Sequence, residues 1–224
     1  MTTDAVRDDI RDPELPGRLL VTERDALIPL LRARPDEDFA LRTACPGWAV
    51  RDVLAHCSAA LMRVVESRFE KGVFSPECND RDIAERAAWS HQEVVDELER
   101  GMTEAGAAIA KAGGVLDAVA LGEWIHAGDV REAFGEPGAY AGSGLPLALE
   151  LLVRISRDRG HVALHADVDD LDTPLVLGAP AEAAPPGRYI GGASTLLRLY
   201  SGRHVVGARY ELAGVGEREL NLFG

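Results

Sequence analysis

The apolar residues of this chain change their spacing near residue 158, and that change limits the fold more than any single motif. From about residue 18 to residue 157 they recur at three- and four-residue steps. Beyond that point they fall into short runs at strand spacing. A helical block followed by a strand-bearing block predicts an α+β chain of two packed units. We place the helical unit at 18–159 and a small mixed α/β unit at 160–224. An acidic, Pro-containing arm at 1–17, expected to be mobile, precedes them. A unit of 65 residues is thin for a core of its own, so it is expected to dock on the helices.

Within the helical block, the first helix is predicted over about Arg18–Arg34, kinked or split at Pro29. The second runs from about Val50 to Lys71 and stops at Gly72. Residues 80–112 read as helical. A break near Ser90 would let Ser90 cap the stretch Glu93–Lys111, with Glu93 at its third position. Further helices are expected over about Leu116–Phe134 and Leu145–Arg157. Short Gly/Pro loops between such segments are the pattern of an antiparallel bundle. Strands are expected from His161, from Thr173, over about Val205–Leu212 and over Glu219–Phe223. A loop is expected over 178–192 and a short helix over Ala193–Ser201.

Acidic residues outnumber basic ones 37 to 24, for a net charge of −13. Phosphate-backbone binding relies on Lys and Arg, so no nucleic-acid partner is expected. No apolar run approaches the roughly 18 residues of a membrane span. The acidic N-terminus is unlike a signal peptide, and Cys45, Cys57 and Cys78 are too few for a disulfide framework. A cytoplasmic location, no membrane partner, and a monomer or homodimer are expected.

The segment Leu121-Gly-Glu-Trp-Ile-His-Ala-Gly-Asp-Val130 is apolar on nearly all faces, as buried helices are. Yet Glu123, His126 and Asp129 stand in it at three-residue steps, about 60° apart along one side. Burying such a row is costly unless its charges are paired or bind a cation. Glu-x-x-His is also a spacing by which helix bundles aim two metal ligands inward. A hydrogen-bonded core histidine, or a surface row with packed stems, explains the segment as well. His56 lies on the flank of the second helix beside Ala59 and Ala60. A structural role is the ordinary one there, but His56, Glu123 and His126 together make a His2Glu set, and three ligands with an open fourth position is the arrangement of catalytic zinc. Cys57 points about 100° from His56 and reads as core. Cys45 and Cys78 lack metal-type spacing, and no CxxC, phosphate loop or nucleophile elbow occurs. His91, His161, His165 and His204 have no partner at helical spacing. Arg198 and Arg203 flank the short C-terminal helix, where solvation is the default and reach into an inter-unit cleft the alternative.

Residues 45–56, CPGWAVRDVLAH, resemble a segment of the mycothiol-dependent maleylpyruvate isomerase-like family, within the DinB/YfiT-like metal-binding superfamily. A His-x-x-Asp helix some 70 residues on and a small mixed C-terminal unit also match, so the resemblance spans the chain from about residue 18. It implies an up-down four-helix bundle of DinB type with an SCP2-like C-terminal unit. It also implies a divalent metal, usually zinc, on two His and a Glu. The histidines fall on His56 and His126. The family's Glu stands four residues before the second His, where this chain has Gly122, and Glu123 is the nearby substitute.

The implied chemistry is that of a zinc-bound thiolate, with mycothiol as cosubstrate and a small electrophile as substrate, in an isomerase or an S-transferase. Asp129 would orient His126, Arg203 would hold an acidic substrate, and Trp48 and Arg51, inside the first motif, would contact the thiol. A metal-free small-molecule-binding or regulatory module, using the cleft between the two units, is the competing reading.

Overall fold

A computed structural model describes residues 11–169, 171–180 and 185–223. Seven α-helices and four strands appear among them: α1 (Leu15–Arg32), α2 (Val50–Val65), α3 (Pro76–Glu85), α4 (His91–Lys111), α5 (Asp117–Ala133), α6 (Leu145–Asp158), β1 (Leu164–Val168), β2 (Leu175–Leu177), β3 (Gly187–Gly191), α7 (Ala193–Tyr200) and β4 (Tyr210–Ala213). The chain is α+β. Helices α1 and α2 each pack on both α4 and α5, forming a four-helix core that α6 joins against α1 and α5. Leu19, Leu27, Leu31, Leu54, Leu61, Leu98, Met102, Leu121 and Trp124 fill it, all nearly inaccessible. No helix among the described residues is long and apolar enough to cross a membrane.

Local chemistry sets the helix ends. Ser90 caps α4 by accepting from the Glu93 amide, and the Glu93 carboxylate accepts the Ser90 amide, the reciprocal box its sequence predicts. Helix α2 ends six residues before Lys71. Ser67 adopts φ +55°, its amide reaches the Val64 carbonyl, and the Arg68 amide reaches the Arg63 carbonyl. That is a Schellman closure made by Ser in place of the usual Gly. Pro29 stands inside α1 without splitting it. Gly17 and Gly106 let α1 and α4 touch backbone to backbone; a Cβ on Gly106 would lie 2.8 Å from Gly17 Cα. Of the arm expected at 1–17, residues 1–10 lie outside the described residues. Arg11 is built into the fold through Asp117, 2.7 Å away, and α1 already begins at Leu15.

The sheet has the order β2-β1-β3-β4, with β1 parallel to β3 and antiparallel to β2, and β3 antiparallel to β4. Strand β3 replaces part of the loop expected at 178–192. Glycines at both ends hid its pattern. At one of them, Gly187, a Cβ would meet Val215 at 2.7 Å. The strand expected over 205–212 pairs only from Tyr210. The strand expected over 219–223 is instead a 3-10 turn, Glu217–Leu220. Leu220 in the turn and Leu222 just after it are buried at an alternating spacing, but neither belongs to a strand. The Leu222 amide bonds the Tyr200 carbonyl at 2.8 Å, fastening the C-terminal segment to α7, which packs on α6.

Candidate active site

A tight hairpin leads into α2. The Trp48 amide bonds the Cys45 carbonyl, Arg42 and Ala49 form a β-bridge, and Gly47 takes φ +84° at the tip. The Asp52 carboxylate accepts the Ala49 amide at 2.9 Å and starts the helix, so His56 follows in its second turn. Cys45, Trp48 and His56 thereby face α5, which brings Glu123, His126 and Asp129. Arg203 enters from the segment after α7. All but Asp129 line one pocket of about 510 Å3.

Asp129 is fully buried and its carboxylate is saturated. Tyr140 donates to Oδ1 at 2.6 Å. Arg203 donates to Oδ1 through Nε at 3.1 Å and to Oδ2 through Nη2 at 2.6 Å. His126 Nδ1 lies 3.1 Å from Oδ2, and the Cys45 thiol donates to Oδ2 at 3.1 Å. Tyr140 reaches this place because residue 128 is glycine: a Cβ there would lie 2.2 Å from the Tyr140 ring. Burial alone would raise the Asp129 carboxyl, but the bonds from His126 and Arg203 outweigh it and hold the group well below the usual carboxylate range. Burial and the Asp129 charge push the Cys45 thiol up to about 12, so it is a neutral donor at pH 7. His126 Nδ1 is committed to this carboxylate, which leaves Nε2 as the ring nitrogen turned away from it.

Among the described residues, one group of three potential ligands has its donor atoms all within 4.8 Å: Cys45, His126 and Asp129. A cation is already supplied to it. Arg203 Nη2 sits 3.2 Å from Cys45 Sγ and 3.3 Å from His126 Nδ1. The guanidinium therefore balances the Asp129 charge and occupies the space an ion would need there.

The other side of His126 differs. The His56 and His126 rings meet edge-on, 78° apart, with centroids separated by 5.3 Å, and the Trp48 indole packs on both at 5.1 and 6.3 Å. Two imidazoles sharing a tetrahedral ion at Zn–N of about 2.0–2.1 Å would have centroids about 5 Å apart. His56 Nδ1 and Glu123 Oε2 are buried without any hydrogen-bond partner. Burial drives His56 down to about 3 and Glu123 up to about 8, the first strongly favouring a neutral ring and the second a protonated carboxyl in the absence of a cation. Orphaned polar atoms of this kind are what a divalent ion satisfies, but the ligand atoms of His56, Glu123 and His126 do not all lie within 4.8 Å of one another, so a shared ion requires these side chains to draw together.

The expected residues separate as follows. His56, Glu123, His126, Trp48 and Arg203 line the pocket, and Asp129 stands behind it. Arg51 is elsewhere: its Nη2 donates to the carbonyls of Arg86, Ala87 and Trp89, tying α2 to the α3–α4 connection. Arg203 spends Nε and Nη2 on Asp129 and Nη1 on the Ser201 carbonyl. Cys57 is buried. Cys45 and Tyr140 escape sequence reasoning. The one sequence trace of Tyr140 is Gly128 beside Asp129, which leaves room for a close neighbour on a helix that also carries Gly122 and several alanines.

The model of the family described as the mycothiol maleylpyruvate isomerase N-terminal domain matches residues 20–134. A crystal structure of a mycothiol-dependent maleylpyruvate isomerase is similar over 92% of this chain and 96% of that one, with TM-score 0.57 and 17% identity. A histidine-to-alanine mutant of such an isomerase gives 0.55 over the same shares, also at 17%. At that identity the likeness is one of fold. No curated protein matches the chain.

Proposed function

This chain belongs to the mycothiol maleylpyruvate isomerase N-terminal domain family, and we propose that it is a metal- and thiol-dependent enzyme acting on a small electrophile. In this reading His56, Glu123 and His126 hold one divalent ion, zinc by its liking for imidazole and carboxylate with an open position. The observation that carries the reading is the pair of buried, unpartnered atoms, His56 Nδ1 and Glu123 Oε2, beside the His56–His126 ring pair. When bound, the ion lowers the pKa of a low-molecular-weight thiol, mycothiol in the solved relative, so that it is deprotonated at neutral pH.

The chain's own groups do the rest. Asp129 keeps the His126 proton on Nδ1 and leaves Nε2 as a ligand. Arg203, its fork engaged by Asp129 and Ser201, acts as a positioning residue: it fixes Asp129, and Asp129 fixes His126. Trp48 walls both imidazoles and excludes water on that side. The thiolate of the cosubstrate adds to an activated cis double bond, forming C–S. Rotation follows, and elimination breaks C–S and returns the thiol in an isomerase. In an S-transferase the C–S bond is kept and a proton completes the adduct.

Metal analysis of untagged protein, purified without chelator, tests the reading. We expect about one divalent ion per chain, lost in His56→Ala and His126→Ala, and mycothiol-dependent consumption of maleylpyruvate or a related electrophile. Regeneration of the thiol distinguishes isomerase from transferase. Protein without stoichiometric metal would overturn this reading and favour a metal-free small-molecule-binding module.

A further inference from the structure

The segment 74–80 walls the same pocket, and the chemistry described so far gives it no task. Phe74 lines the pocket at φ +66°, a left-handed conformation that bulky side chains rarely adopt. The turn holds it there: the Val73 amide bonds the Glu70 carbonyl, the Ser75 amide bonds the Gly72 carbonyl, and Ser75 Oγ caps α3 at the Cys78 amide. Pro76 then begins α3, and one turn later Asn79 and Asp80 also line the pocket. Asn79 Oδ1 is buried there with no partner, while Asp80 is exposed at the surface of the pocket.

These groups restrict what can bind. An apolar ligand would leave the Asn79 amide unsatisfied, and an acidic one would meet Asp80. A hydroxyl suits both: it donates to the carboxylate, and it gives to or takes from the amide, which carries donor and acceptor atoms together. The Phe74 face offers an apolar surface for a saturated ring, completing a wall with a few converging polar groups.

We propose that residues 74–80 form a polyol subsite that binds the hydroxylated, non-reacting part of the thiol cosubstrate, an inference that rests on the thiol-dependent reading above. The test uses two thioethers that cannot ionise at sulfur, S-methyl mycothiol and S-methyl-N-acetylcysteine, which differ in the hydroxylated rings. Each is titrated calorimetrically into the full chain, into Asn79→Leu and into Asp80→Ala, the latter an exposed position that leaves the core untouched. Wild type is expected to prefer the hydroxylated thioether by at least tenfold, and each variant to lose about tenfold of that preference. A wild-type chain that binds both alike, or variants that keep the full preference, would overturn the assignment. Preference without thiol-dependent turnover would count against the catalytic reading while supporting the subsite.

Discussion

Glu123 and Asp129 are two buried carboxyls six residues apart on α5, and they stand in opposite condition. Asp129 has Tyr140, His126, Cys45 and Arg203 around it and is held as an anion. Glu123 has an oxygen with no partner and, without a cation, is pushed toward its neutral form. One end of the helix face is finished by the chain itself, and the other is left for a guest. The difference separates a buttress, which must be stable before any ligand arrives, from a binding site, which gives up stability to stay receptive.

The largest effect should come from breaking the finished end. Asp129→Ala leaves the partly buried Arg203 charge without its counterion, and we expect a loss of about 3–5 kcal/mol in denaturant unfolding. The double variant Asp129→Ala/Arg203→Leu should recover part of that loss, because it removes the stranded charge too. A single variant as stable as wild type would show that the two ends do not differ. The carboxyl is held below its unfolded value of about 3.9. Its contribution is therefore complete above that pH and is lost as pH falls toward the folded value.

At the unfinished end the sign reverses. The folded pKa of Glu123 lies at about 8, against an unfolded value of about 4.3. The cost of ionising it is absent below pH 4 and grows as pH rises to about 8. In chelator-treated protein, Glu123→Gln should therefore stabilise the fold by on the order of 3 kcal/mol at pH 7 and by nothing below pH 4. The same variant should bind divalent metal poorly. Opposite signs for Asp129→Ala and Glu123→Gln would sharpen the contrast; a destabilising Glu123→Gln would break it.

Much of this was legible before the fold. Three-residue steps put Asp129 within reach of His126, and the Ser90–Glu93 pair marked the start of α4. Helix ends were less so, because Ser67 closes α2 with a conformation that Gly usually supplies. Strand β3 was hidden because Gly187 and Gly191 carry no side chain to show a period, and its pairing with β1 is decided by residues about twenty positions away. Cys45 escaped for a similar reason. Nothing in its spacing relates it to α5; the hairpin at 42–49 brings it there. Arg203 was legible as a cation near the pocket, but its engagement by Asp129 depends on where the segment after α7 runs.

Cys45 gives the smallest and most discriminating test of the buttress. Its thiol is buried, held up at about 12, and donates to Asp129 Oδ2. If the cluster is structural, the thiol is a hydrogen-bond donor that a hydroxyl can replace, and Cys45→Ser should cost no more than about 1 kcal/mol. The folded protein should also resist alkylation by iodoacetamide at pH 8, because attack requires the thiolate and Cys57 and Cys78 are buried as well. Urea should then release all three thiols. Rapid alkylation of Cys45 in the native chain would mean that Arg203 stabilises a thiolate in preference to the thiol. Asp129 would then share its guanidinium with a second anion, and the finished end of α5 would itself be a reactive centre.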